Sequence, residues 1–309
     1  MTELALALDL GGTKVEAALV DGHGSLLTGS RYRAGTGRER TSEQLAESVR
    51  SVVTQALAAV PAGDVLIGAG VGSAGPIDVD HGLVSPLNLP AWRDYPLRDL
   101  VVSLVPDAPV VLRMDGQCIA LAEHWIGAAV GADNLMGMIV STGIGGGIML
   151  QGRTIAGPTG NAGHIGHIEV GGLDDRCDCG GIGCVEAVAS GPKTVRWAQG
   201  HGFAGATGED LAAAYAAGDE IAVAAVRRSG HAIGQAIASA TALVDLDVVA
   251  IGGGFSRVTP DLFDLIRAAV AERAGFPFVT KVSVVPSSLS DEGPLVGAAA
   301  LIHRPAHVG

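Results

Sequence analysis

With 309 residues, 48% hydrophobic and 17% charged, the chain can bury one large core or two ordinary ones, and its composition is that of a globular protein. A net charge of −12 with no lysine- or arginine-rich block argues against nucleic acid as a partner, and 4% aromatics leaves little for stacking platforms. The longest early apolar run, Leu4 to Leu10, holds Asp9, lacks a basic leader and is far too short to span a bilayer. A cytoplasmic protein without a membrane partner is expected. The opening reads as a strand from Leu4 to Asp9, a turn at Gly11-Gly12-Thr13-Lys14, and a returning strand from Val15 to Val20. A helix follows from Thr41 to Val60, where Thr41 and Gln44 form a capping box and Leu45, Val49, Val52, Val53, Ala56 and Val60 share one face. Val65 to Val71 is a buried-type strand running into Gly72-Ser73-Ala74-Gly75-Pro76. Val110 to Arg113 is a short strand, and Asp115 is the expected N-cap of a helix from Gly116 to about Val130.

The second half repeats the opening. Leu135 to Val140 reads as a strand, Thr142 to Gly147 as a glycine turn, and Ile148 to Leu150 as the returning strand. An alanine-rich helix is expected over Asp219 to Val244, and a strand at Val248 to Ile251 enters Gly252-Gly253-Gly254. A last strand at Lys281 to Val285 precedes a helix from Pro294 to His303. Two similar α/β halves with a cleft between them are expected, dividing near Arg113 to Asp115.

Three of the four cysteines fall in one run, Cys177-Asp-Cys179 and then Cys184, with His167 ten residues upstream. Three thiolates and one imidazole at this spacing suit a closed tetrahedral zinc site. The alternatives are a disulfide with a spare thiol or three unrelated thiols; a reducing compartment disfavours the disulfide. Cys118 stands alone in an apolar helical stretch and reads as core.

Asp9-Leu-Gly11-Gly12-Thr13-Lys14 has the parts of a phosphate loop. Its glycines let backbone N–H groups approach phosphate oxygens, Thr13 adds a hydroxyl, Lys14 adds charge, and Asp9 can hold Mg2+ directly or through water. It is no Walker loop, since a strand rather than a helix follows. A tight turn is the plainer alternative. The second loop, Thr142 to Gly147, strengthens the phosphate reading, and Gly252-Gly253-Gly254 would let a base and ribose lie on the backbone.

Asp9-x-Gly-Gly-Thr-Lys14, Thr142-Gly-Ile-Gly-Gly-Gly147, Gly163-His164-Ile-Gly-His167 and Cys177-x-Cys-Gly-x-x-Gly-Cys-x-Glu186 together resemble the ROK family of sugar kinases and repressors. The likeness runs nearly the whole length, through Val249-Ala-Ile-Gly-Gly-Gly254 and Pro294-Leu-Val-Gly-Ala-Ala299. It implies the actin-like (hexokinase-type, ribonuclease H-like) ATPase fold, with two α/β domains around a cleft. The domains it implies are 1–113 plus 297–309, whose terminal helix packs back on the first half, and 114–296 with the zinc site. It also implies a homodimer or homotetramer, structural Zn2+, and Mg2+ with ATP.

By the same resemblance Asp115 is the general base that takes the proton of a sugar hydroxyl; it can equally serve as a helix cap. Asp9, Gly11, Gly12, Thr13, Lys14, Thr142, Gly143, Gly145, Gly253 and Gly254 are assigned to the nucleotide. Gly75, Asn88, Met114, His164, His167 and Glu186 are assigned to the sugar, with His167 also binding zinc beside Cys177, Cys179 and Cys184. Asn88 is alternatively a turn cap and Glu186 a solvated carboxylate at a helix start. Two positions depart from the family's kinase pattern: Met114 replaces an asparagine and His164 a glutamate. The histidine is similar to the pattern of some bacterial N-acetylmannosamine kinases. The expected activity is transfer of the ATP γ-phosphoryl group to a hydroxyl, the 6-hydroxyl, of a hexose or N-acetylhexosamine. The alternative is a non-catalytic sugar-binding regulator on the same fold. The family's repressors carry an N-terminal helix-turn-helix, and none is expected in a chain that begins at its first phosphate strand.

Overall fold

The computed structural model describes residues 1–273, 275–289 and 291–309. The first half builds β1 (Glu3–Leu10), β2 (Lys14–Asp21), β3 (Tyr32–Gly35), α1 (Ser42–Ala58), β4 (Val65–Ser73), the hairpin β5 (Ile77–Asp78) and β6 (Leu83–Val84), α2 (Leu97–Leu104) and β7 (Val110–Met114). α3 (Asp115–Trp125) leads into β8 (Leu135–Val140), β9 (Ile144–Leu150) and β10 (Arg153–Thr154). Then come α4 (Val185–Ala189), α5 (Gly191–Gly200), α6 (Gly208–Ala216), α7 (Glu220–Val244), β11 (Val248–Gly252), α8 (Leu262–Ala271), α9 (Pro277–Thr280), β12 (Ser283–Pro286) and α10 (Gly293–His303).

Two five-stranded sheets result, ordered β3-β2-β1-β4-β7 and β10-β9-β8-β11-β12. Each starts with an antiparallel hairpin, β1 with β2 and β8 with β9, and continues in parallel through β4 and β7 or β11 and β12. The glycine turns therefore sit at matching edges of the two sheets. Apart from Glu3, every residue of β1 is buried, as a central strand covered on both faces requires. α1 begins with the Thr41–Gln44 capping box, and α7 with the Asp219 side chain accepting from Ala222 N–H at 2.8 Å.

Each sheet has its own core, and a third cluster joins them. Ala5 and Ala7 of β1, Cys118 and Leu121 of α3, Leu135 of β8, and Leu295, Ala298 and Leu301 of α10 pack together there. α3 and α10 approach to backbone contact: a Cβ on Gly297 would stand 1.8 Å from the Cys118 carbonyl oxygen. On its other side α3 meets β9 as closely, since a Cβ on Gly147 would lie 2.2 Å from the Gly116 carbonyl oxygen. Glycine is required at both.

Three expectations are corrected. The second glycine run is strand rather than turn, because β9 starts at Ile144 and its glycines are where α3 packs. The N-cap of α3 is Met114, with Asp115 as its first helical residue. α3 also stops at Trp125 instead of running to Val130. The buried Glu123 carboxylate accepts from Ala128 N–H at 2.8 Å and fills the space a side chain at position 127 would need. Among the described residues no helix is long and apolar enough to cross a membrane.

Candidate active site

A cleft of about 380 Å³ opens between the two sheets, and both glycine hairpins face it. Asp9, Gly11, Gly12, Thr13 and Lys14 line it from the β1–β2 turn, and Gly75 and Asn88 from the segment after β4. Thr142 and Gly143 line it from the β8–β9 turn, Gly145 from the start of β9, and Gly253 and Gly254 from the end of β11. Asp115, His164, His167, Glu186 and Cys179 complete the set named from sequence. The cysteine run thus forms part of the wall, with Cys177 and Cys184 behind it.

Met114 is the exception. It is 1% exposed and packs with Leu112 in the first-sheet core, so the sugar-binding position expected of it is corrected. Strand pleating puts residues 112 and 114 on one face of β7, and that face is the core.

The first loop is held by its backbone and by a buried charge. Gly11 N–H donates to the Lys14 carbonyl at 2.9 Å, and the Thr36 hydroxyl donates to the Gly11 carbonyl at 2.9 Å. Glu16, 2% exposed, receives Lys14, Arg31 (Nε at 3.1 Å) and Arg33 (Nε at 2.9 Å). Burial works against its ionisation, but these donors win and hold its carboxyl below the usual range. Arg31 also reaches Asp291, which lines the cleft, at 2.9 Å. Sequence reading missed this cluster. The alternation of Lys14 and Glu16 on one face of a strand, opposite Arg31 and Arg33, is the signal that could have found it.

The second loop carries no charge. Ser141 N–H donates to the Gly143 carbonyl at 2.9 Å, and Ile144 N–H donates to Glu186 Oε2 at 2.8 Å. Glu186 stands at the start of α4, two residues beyond Cys184. The cysteine run and the second loop are therefore linked through one carboxylate.

Asp9 and Asp115 are the carboxylates between the loops. Burial, then the Asp115 charge, push Asp9 up to about 7, against the pull of Lys14. Burial and the Glu186 charge push Asp115 up to about 6, although Asp115 Oδ1 accepts Gly116 N–H at 2.7 Å. A carboxylate so raised is a competent proton acceptor near neutral pH. Burial, then the neighbouring His167, lower the pKa of His164. Ser141, Asp178, Arg257 and Asp291 also line the cleft and were not singled out from sequence.

His167, Cys177, Cys179 and Cys184 offer ligand atoms that all lie within 4.8 Å of one another. Cys179 Sγ is 3.7 Å from Cys184 Sγ, and Cys177 Sγ is 3.7 Å from His167 Nδ1. Two sulfurs about 2.3 Å from a tetrahedral centre stand about 3.8 Å apart, so the donor set fits a four-coordinate metal. All four cysteines are free in the structure.

A family model described as the ROK family matches residues 5–305. The chain belongs to the ROK family. It has that family's actin-like, hexokinase-type fold. An N-acetylmannosamine kinase of Yersinia pseudotuberculosis is 35% identical over 302 residues, spanning 95% of this chain and 96% of its own. A ROK family glucokinase from Streptomyces griseus, solved with glucose and AMPPNP, superposes with a TM-score of 0.83 at 30% identity, covering 97% of this chain and 99% of its own. A ROK family transcriptional regulator superposes equally well, with a TM-score of 0.83 at 25% identity, covering 99% of this chain and 78% of that one. ROK relatives of this chain thus include both sugar kinases and regulators.

Proposed function

We propose that the protein is an ATP-dependent sugar kinase, transferring the γ-phosphoryl group to the 6-hydroxyl of a hexose or N-acetylhexosamine. One juxtaposition carries the reading. The Asp115 carboxylate opens to the same cleft as both glycine loops, Glu186, His164 and His167. A sugar hydroxyl attacks phosphorus well only as its proton leaves, and Asp115 accepts that proton. The backbone N–H groups of the first and second loops cradle the phosphates, while Gly253 and Gly254 leave room for base and ribose. Asp9 would hold Mg2+, directly or through water, and the ion supplies neutralisation of the phosphate charge.

Glu186, His167, Asn88 and the Gly75 backbone orient the sugar. His164, where kinases of this family carry a glutamate, replaces a carboxylate by an imidazole that meets Gly75. That exchange favours a sugar bearing an N-acetyl group over glucose. His167 and the three cysteines hold structural zinc, which fixes the wall that carries Glu186. The chain divides into 1–113 with 297–309 and 114–296, with α10 packed on β1 and β4 of the first part and on α3 of the second. Assembly as a homodimer or homotetramer rests on the family resemblance.

A coupled ADP-release assay over glucose, mannose, N-acetylglucosamine and N-acetylmannosamine tests the activity. Turnover with an N-acetylhexosamine ahead of glucose is expected. No turnover with any sugar, together with sugar binding, would favour the regulator.

A further inference from the structure

At the sugar end of the cleft one side chain ties the two halves together. Asn161 lies in the segment that leads from β10 to His164. Its Oδ1 accepts from Ile77 N–H at 2.8 Å, and its Nδ2 donates to the Ile77 carbonyl at 2.7 Å. Ile77 opens β5, and its side chain is buried in the first-sheet core. An amide that satisfies both polar groups of one backbone residue is fixed in orientation as well as in distance. From the other side Gln117, fully buried in α3, donates its Nε2 to the Gly160 carbonyl at 2.9 Å. A run of amide contacts therefore connects Ile77, through Asn161 and Gly160, to the helix that begins with Asp115.

The pair controls a narrow gap. Gly75 stands two residues before Ile77, and His164 three residues after Asn161. A Cβ on Gly75 would lie 3.0 Å from both Cε1 and Nε2 of His164, and 3.6 Å from Asn161 Oδ1. Gly75 and His164 both line the cleft. Moving residues 75–77 relative to residues 161–164 changes the width of the pocket at that point, and the Asn161–Ile77 pair is the direct bond that resists it.

We infer that Asn161 is a positioning residue for sugar selectivity, setting the Gly75–His164 separation without itself needing to touch the sugar. The inference rests on the sugar-binding reading of the cleft. Calorimetric titration of N-acetylmannosamine, N-acetylglucosamine, glucose and MgADP into wild type, Asn161→Ala and Asn161→Asp tests it. The aspartate keeps the acceptor for Ile77 N–H but sets a carboxylate oxygen against the Ile77 carbonyl. It also preserves side-chain volume, so it decides the matter if the alanine variant fails to fold.

Each variant should weaken the best-bound sugar about tenfold, near the cost of one lost hydrogen bond, and narrow the spread among the three sugars. MgADP affinity should stay within about twofold. A merely structural role would instead lower the melting temperature and weaken sugar and MgADP in parallel, which overturns the inference. Unchanged sugar affinities overturn it too, as does a wild type that binds none of the three sugars. A wild type that binds sugar without phosphorylating it defeats the kinase reading, and the expected variant pattern would then still support the role of Asn161.

Discussion

The two glycine hairpins share one topology and are held in shape by opposite means. The β1–β2 turn is flanked by charge: Asp9 before it, Lys14 after it, and Glu16 gathering Lys14, Arg31 and Arg33 just beyond. The β8–β9 turn has no ionisable residue of its own. It is fixed by the backbone packing of Gly147 on α3 and by the Glu186 carboxylate on Ile144 N–H. A loop held by charge can adjust to a charged ligand, because Arg31 and Arg33 still satisfy Glu16 if Lys14 turns toward phosphate. A loop held by backbone contact stays preorganised whatever occupies the cleft.

Asp115 stands where the two hairpins face each other, and its loss is the largest effect expected. Asp115→Asn should lower kcat by about 10²-fold or more with little change in sugar affinity, read from the ADP-release assay with binding measured separately. In wild type the base acts only when ionised. Since its pKa lies at about 6 and that of Asp9, which must be ionised to hold Mg2+, at about 7, kcat/KM should fall with decreasing pH from about 7 downward, and the Asp115 step near 6 should be missing in Asp115→Asn. A variant within a few-fold of wild type would break the comparison at its centre.

The His167–cysteine cluster borders the second hairpin, through Glu186 and through the close approach of Gly166 to Ile144. Elemental analysis should find about one zinc per chain, and Cys179→Ala should lose the metal and about 10- to 100-fold of activity. Full activity in metal-free protein would sever the proposed link between cluster and loop.

The smallest effect separates two glycines of one strand. Nothing lies within 4 Å of a Cβ on Gly145, whereas one on Gly147 would collide with the Gly116 carbonyl. Gly147→Ala should cost about 1–3 kcal/mol in urea unfolding and Gly145→Ala well under 1 kcal/mol. Equal costs would show that packing on α3 does not hold this hairpin.

What could be read from sequence follows the same division. The strands and helices with strong periodicity, β1, α1, β8 and α7, were legible because local pattern and tertiary burial agree there. The first part of β9, up to Gly147, was read as a turn because glycines carry no hydrophobic pattern; only the arrival of α3 explains them. The loop glycines, Asp9, Asp115 and the cysteine run were legible as chemistry because their spacing is local. Glu16 with Arg31 and Arg33, and Asn161 with Ile77, depend on partners 15 to 84 residues away, and a single sequence carries no mark of such pairings. Met114 was misplaced for a related reason: its neighbour Asp115 opens to the cleft, but the pleat of β7 turns residue 114 into the core.

The packing of α10 against β1 sets an order of assembly. During synthesis Ala5 and Ala7 leave the ribosome about 290 residues before Leu295 and Ala298, the partners that cover them. One face of the first sheet therefore lacks the cover of α10 until the whole second half has been made. The first half is complete as a cleft wall only when the last helix closes over it, so the nascent chain passes through a long interval in which an apolar strand face is open to wrong partners.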